Sequence, residues 1–190
     1  MKNIFLVLST VISLSAYILG IISITKGSFK PERMTRFLLL LISLLFVGTL
    51  LASGDRNAIY LALATFVGTL VIFLLSIKNG IDGTSKLDKT VFFMVIVSLF
   101  VWYTTKNPIL GLIMSILTDF IAFFPTLVKA WKIPETEEWK FYALDTLSSF
   151  LIILSLSTIT FGKIIFPLYV FSTTLLVVLI IIGRKKYLKN

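Results

Sequence analysis

The residues best placed to do chemistry are two acids inside apolar stretches, Asp119 and Asp145. Asp119 lies about ten residues into its run, which is mid-depth if the run crosses a bilayer. An acid there costs roughly 2.5–3.5 kcal/mol on insertion scales, so it must face a partner or a watery cavity. A carboxyl group that takes up and releases a proton in such a cavity can couple transport to protons. The structural alternative is a protonated acid that ties two helices together. Asp145 sits about one turn inside the next run and has two readings: a transport role, or an ion pair with Lys129 or Lys140. Pro125 removes a backbone donor and can kink its helix, as a gate hinge or as a static bend. Pro167 carries a weaker version of the same reading. Tyr17, Thr65, Thr69, Thr118, Thr173 and Thr174 are the mid-run polar groups that could line a pocket. Each of them could equally make a helix–helix hydrogen bond.

The elements that must hold these groups are apolar helices. The chain has 190 residues, of which 57% are hydrophobic and 14% charged, well below the ~25% charged of soluble domains. Seven apolar runs follow: Ile4 to Ile24, Phe37 to Ala52, Ala58 to Ile77, Thr90 to Thr105, Ile109 to Lys129, Phe141 to Ile159, and Ile164 to Gly183. Most approach the ~20 residues that a crossing needs. The second and fourth are short and should take a turn from their flanks. Turn chemistry separates the runs: Gly27 with Pro31, Ser53-Gly54-Asp55, Asn79-Gly80 with Asp82-Gly83, Asn107-Pro108, and Ile133-Pro134. The expected fold is all-α and integral to the membrane, with seven transmembrane helices in one domain. Lys2 before the first run resembles a signal-peptide opening. That stretch is long for such a signal, and its only small-residue site, Ser13 to Ala16, lies inside it, so the run is expected to stay as a crossing.

The net charge of +9 does not imply nucleic acid, because the cations flank the apolar runs. Four Lys and Arg fall on the side of the N-terminus and fourteen on the other. The positive-inside rule then puts the N-terminus outside and the C-terminus in the cytoplasm of a cell (inner or plasma) membrane. Trp102 and Tyr103 beside Lys106 read as an interfacial anchor, as do Trp131 and Trp139 at the basic end. Arg184-Lys185-Lys186 is an orientation anchor that can touch anionic headgroups. Glu135, Glu137 and Glu138 read as a solvated loop. With no Cys and no His, thiol nucleophiles, His bases and Cys–His metal sites are excluded, and no metal or cofactor is expected.

A repeat organises the runs. Lys26, Pro31 and Glu32 recur as Lys129, Pro134 and Glu135 at an offset of 103 residues. Moved by that offset, the first three runs land on the last three, and the fourth is left over. Residues 1–78 and 108–190 would be two like-oriented three-helix repeats, with 79–107 as an inverting linker helix. Parallel repeats of this kind enclose a shared pocket that transporters use for alternating access. Asp119 answers to Ala16 and Asp145 to Ile42, so both acids belong to the second half.

This layout resembles the PQ-loop and SWEET transporter superfamily. The best local match is Phe124-Pro125-Thr126-Leu127-Val128-Lys129, followed by Trp139 and Asp145. The resemblance makes Pro125 the hinge, and Thr126 stands where the family has Gln. In the first half Ile22 and Ser23 occupy the Pro-Gln positions. The sugar-binding SWEET branch fits less well, since the seventh run has no Asn and Asn57 lies only at the start of the third. Lys30 to Thr35 and Asp119 to Lys129 also resemble segments of small prokaryotic seven-helix membrane proteins of unknown activity. The expected function is a small-solute transporter, with proton coupling through Asp119. Its partners would be the lipid bilayer, a small polar solute and a second copy in a homodimer. The alternative is a membrane receptor or accessory protein on the same scaffold. An enzyme is not expected. The seventh run lacks the Lys of a retinal protein, and the two acids lie at different depths without the Gly-x-Gly-Asp of an intramembrane protease.

Overall fold

The computed structural model describes residues 2–54, 56–81 and 86–189. Asp55 and Asp82-Gly83, read above as turns, lie outside the described residues. Seven helices follow in order: α1 (Lys2–Thr25), α2 (Arg33–Ser53), α3 (Ala58–Asn79), α4 (Lys86–Thr105), α5 (Pro108–Lys132), α6 (Trp139–Ser155) and α7 (Phe161–Lys189). Among the described residues, all but α6 are long and apolar enough to cross a membrane. Helices suit that solvent because each satisfies its backbone polar groups internally. The chain is a multi-pass, all-α membrane protein.

α2 and α4 begin one turn before their apolar runs, at Arg33 and Lys86. Gly54 ends α2 at φ 69°, and its N–H caps the carbonyls of Leu50 and Leu51. The Asn107 side chain starts α5 by accepting from the N–H groups of Ile109 (3.0 Å) and Leu110 (3.3 Å). Asn107→Ala should therefore cost about 1 kcal/mol, read as a lower melting temperature in detergent. α6 differs from expectation. It has 17 residues and stops at Ser155 rather than Ile159. The Asn57 amide takes the Ser155 carbonyl at 3.1 Å, and Leu156 turns extended at ψ 127°. Its length is about 25 Å at 1.5 Å per residue.

α3 packs on both α1 and α2, and α7 on both α5 and α6. Across the middle α1 packs on α6, and α2 on α5. α4 lies outside, against α5 and the edge of α2. Small residues bring α1 and α6 close: Ser9 Oγ is 3.1 Å from Ser148 Oγ, and Ser148 Oγ donates to the Ser9 carbonyl at 2.9 Å. The opposite face of α1 exposes Ile4, Val7, Val11, Ile18 and Ile22, a stripe at helical spacing. Trp102, read above as an interfacial anchor, is half-buried, and its ring lies over the bare backbones of Gly48 and Gly111. Its neighbour Tyr103 is exposed, with Lys106 Nζ 4.0 Å above the ring.

Candidate functional site

The described cavity richest in polar side chains lies where α1, α2, α3, α5, α6 and α7 meet, and α4 contributes nothing to it. Its volume is about 90 Å³. α1 supplies Tyr17, and α3 supplies Thr65 and Thr69. α5 supplies Asp119 and Phe123, and α6 supplies Phe141, Tyr142 and Asp145. α7 supplies Phe166, Tyr169, Thr173 and Thr174, and α2 supplies Arg36, Ser43 and Phe46. Asp119, Asp145, Tyr17, Thr69 and Thr173, picked out along the sequence, thus share one space.

Thr118 does not join them. It is fully buried on the side of α5 that faces α4, and its Oγ1 lies 3.0 Å from Ser98 Oγ. One residue is a turn of about 100° on a helix, so Asp119 and Thr118 face different neighbours.

The polar groups divide into satisfied and unsatisfied. Tyr169 Oη donates to Asp119 Oδ2 at 2.6 Å. Thr146 Oγ1 and Thr174 Oγ1 are 2.8 Å apart. By contrast Asp145 Oδ1 is buried without a hydrogen-bond partner among the described residues, and so is Nε of Arg36, whose guanidinium reaches Tyr142. The guanidinium of Arg36 stacks on Phe29, 5.1 Å from the ring centroid.

Arg36 also borders a second, smaller chamber at the basic end of the bundle. Pro125, Thr126, Lys129, Glu137, Pro31, Glu32 and Thr35 complete that chamber. Lys129 Nζ pairs with Glu137 Oε1 at 2.9 Å and donates to the Lys30 carbonyl at 2.9 Å. Tyr142 Oη donates to Glu137 Oε2 at 2.7 Å. α5 runs as one helix through Pro125.

Two expectations are corrected here. Asp145 pairs with neither Lys129 nor Lys140. Lys129 is taken by Glu137, Lys140 points away exposed, and Asp145 turns into the cavity. Glu137 is not solvated but 4% exposed, and Glu138 caps α6 while accepting from Ser23 Oγ at 3.3 Å.

Reading the sequence missed Arg36, Tyr142 and Tyr169. Arg36 is one of the fourteen cations on the basic side, one residue before the second apolar run, where it reads as a flanking charge. The signal was there, because the second run needed a turn from its flank, and that turn carries Arg36 inside the helix. The two tyrosines stood among many aromatics with nothing to separate them from packing. Among the described residues no three acidic side chains converge enough to hold a metal ion. No protein-family model matches this sequence, and no curated protein or solved structure matches it.

Proposed function

We propose that the chain is a small-solute transporter that works by alternating access between two three-helix bundles, α1–α3 and α5–α7, with Asp119 as the proton-coupling group. The observation that carries this reading is the cavity itself: six helices from both bundles line it, and two acids and an arginine face into it.

The helix order supports a repeat. α3 and α7 start 103 residues apart, at Ala58 and Phe161, and the pairs α1–α5 and α2–α6 each start 106 apart, close to the 103-residue offset. Exchanging α1 with α5, α2 with α6 and α3 with α7 maps the main packing pairs onto one another: α1–α6 onto α5–α2, α1–α3 onto α5–α7, and α2–α3 onto α6–α7. A pseudo-two-fold axis along the membrane normal produces such exchanges, and parallel-repeat transporters bind solute at that axis. α4 is then the linker, and the excess of Lys and Arg puts the chamber at Pro125 and Lys129 on the cytoplasmic side. The architecture is that of a divergent PQ-loop or SWEET-like protein, with Pro125 as a hinge of the cytoplasmic gate.

In proteoliposomes, uptake of a solute that raises the melting temperature should respond to an imposed pH gradient. Asp119→Asn should abolish that response and leave solute exchange at equal pH intact, because the amide keeps the bond from Tyr169 but carries no exchangeable charge. Gradient-driven uptake unchanged by the substitution would remove proton coupling. Absence of any exchange in the native protein would remove transport.

A further inference from the structure

A groove lies between the last turns of α5 and α7 at the basic end of the bundle, and it shares no residue with the central cavity. α5 gives it Trp131, and α7 gives it Leu179, Ile180, Gly183, Arg184 and Tyr187. Its volume is about 580 Å³, within the ~300–1,000 Å³ of sites that take a drug-sized molecule.

Arg184 is fixed in this groove. Its Nε donates to the Trp131 carbonyl at 3.0 Å, one of the carbonyls that the end of α5 leaves open. Its guanidinium lies 4.7 Å from the Trp131 ring centroid and 5.5 Å from that of Tyr187. These contacts set the plane of the group and use only Nε. Its two Nη groups have no acceptor, and no carboxylate pairs with it, among the described residues. Glu135, in the turn Pro134–Thr136 that packs on α7, stays exposed and makes no ion pair there.

Gly183 serves neither a turn nor a helix contact. It lies inside α7, where glycine weakens a helix relative to alanine. Its φ is not positive, and a Cβ built on it would meet nothing within 4 Å. What it does is keep the groove open between Ile180 and Arg184.

Polarity changes along the groove in a definite order. Leu179 and Ile180 are apolar, Gly183 is bare, and Arg184 is cationic, with Lys185 and Lys186 next in the chain. Trp131 and Tyr187 are 55% and 72% exposed, as aromatics at a bilayer surface are. An acyl chain followed by a phosphate matches that order. A guanidinium takes a phosphate on two donors, and basic pockets between helices suit anionic headgroups. A soluble anion would leave the apolar part unmet. A headgroup with its own ammonium would bring a cation to rings that already hold one.

We propose that this groove binds one anionic phospholipid, its phosphate on the Nη groups of Arg184 and an acyl chain along Leu179, Ile180 and Gly183. The site requires only that the chain lie in a membrane and is independent of the transport reading.

The full chain in dodecyl maltoside would be titrated with dioleoylphosphatidylglycerol and, separately, dioleoylphosphatidylcholine, with bound lipid counted by native mass spectrometry. One phosphatidylglycerol should stay bound per chain, and phosphatidylcholine should bind roughly tenfold more weakly. Arg184→Gln should bring the two lipids to equal affinity. Arg184→Lys should fall between, because it keeps the charge and loses the planar fork. Gly183→Leu should weaken both lipids, with a lipid-free melting temperature no lower than the native one, since the new side chain enters open space. Lys186→Gln, outside the groove, should cost less affinity than Arg184→Gln. If Gly183→Leu does melt lower, the two lipids and the Arg184 variants still decide. Equal binding of both lipids to the native chain would overturn the site. Equal losses from Lys186→Gln and Arg184→Gln would overturn it too, by showing diffuse attraction to a basic end. Inorganic phosphate that raised the melting temperature as much as phosphatidylglycerol would leave an anion site without a lipid. A dimer that excludes lipid and becomes monomeric in Gly183→Leu would give the groove to a second copy instead.

Discussion

Glu137→Ala should lower stability by about 3 kcal/mol, the low end of the cost of removing one member of a buried ion pair, because the Lys129 side chain left behind is 19% exposed. The Glu137 side chain is 2% exposed and receives two charge-relevant contacts, Lys129 Nζ at 2.9 Å and Tyr142 Oη at 2.7 Å. Its loss removes the counter-charge of a lysine ammonium and the acceptor of a buried tyrosine hydroxyl between α5 and α6. Lys129 keeps the carbonyl of Lys30 and the face of the Phe29 ring, 5.9 Å away, and Tyr142, 2% exposed, loses Glu137 as its acceptor. For a chain of this size the melting temperature should fall by roughly 6–12 °C, at ~2–4 °C per kcal/mol. Glu137→Gln should fall in between, because its oxygen still accepts from Tyr142 while the charge is gone. Adding Lys129→Met to Glu137→Ala should recover part of the loss, since the orphaned charge goes with it. A melting temperature for Glu137→Ala matching the native one would show that the pair is solvated and that the basic end is not sealed as described.

Gly68→Ala should be the most damaging change of a single methyl group. A Cβ built at Gly68 would lie 2.0 Å from Cγ of Tyr17 and 2.1 Å from its Cδ1. The Tyr17 ring cannot yield easily. It is 6% exposed and stands edge-on to Phe141 at 5.4 Å. Either α1 must move off α3, or the ring must leave the cavity wall. Overpacking of this kind costs about 1–3 kcal/mol, and more where backbone must shift. Tyr17→Leu alone should cost less, and in its presence Gly68→Ala should lose much of its effect, a coupling of roughly 0.5–3 kcal/mol in a double-mutant cycle. Additive melting-temperature losses would mean that the ring and the glycine are not in contact. Because Tyr17 lines the cavity, the single substitution should also impair binding there.

The contrast between Asp119 and Arg36 marks the boundary of what could be read along the chain. Asp119 was legible because a charge in the middle of an apolar run has no ordinary reason to be there. Arg36 was not, because a cation at the end of a run has a very ordinary reason, the orientation of the protein in its membrane. Only the added first turn of α2 and the packing of α2 on α5 turn it inward. Glu137 shows the same in reverse. A run of acids beside Pro134 looks like solvent, and burial follows only because Lys129 and Tyr142 converge on it from two helices.

Composition and hydropathy alone determined that the chain is a set of long apolar helices, where most of them begin, and that two acids lie inside them. That information is local: a helix closes its own hydrogen bonds within a few residues, and an apolar run declares its solvent one residue at a time. Which side of each helix meets which neighbour was decided only in three dimensions. Thr118 and Asp119 are adjacent in the chain, yet one bonds to α4 and the other faces the cavity. Helix phase and pairing are set by the close packing of small and large side chains, such as Gly68 under Tyr17, whose positions are 51 residues apart. No local pattern encodes such a contact, and the same kind of contact brings Arg36 and Asp145 to one cavity.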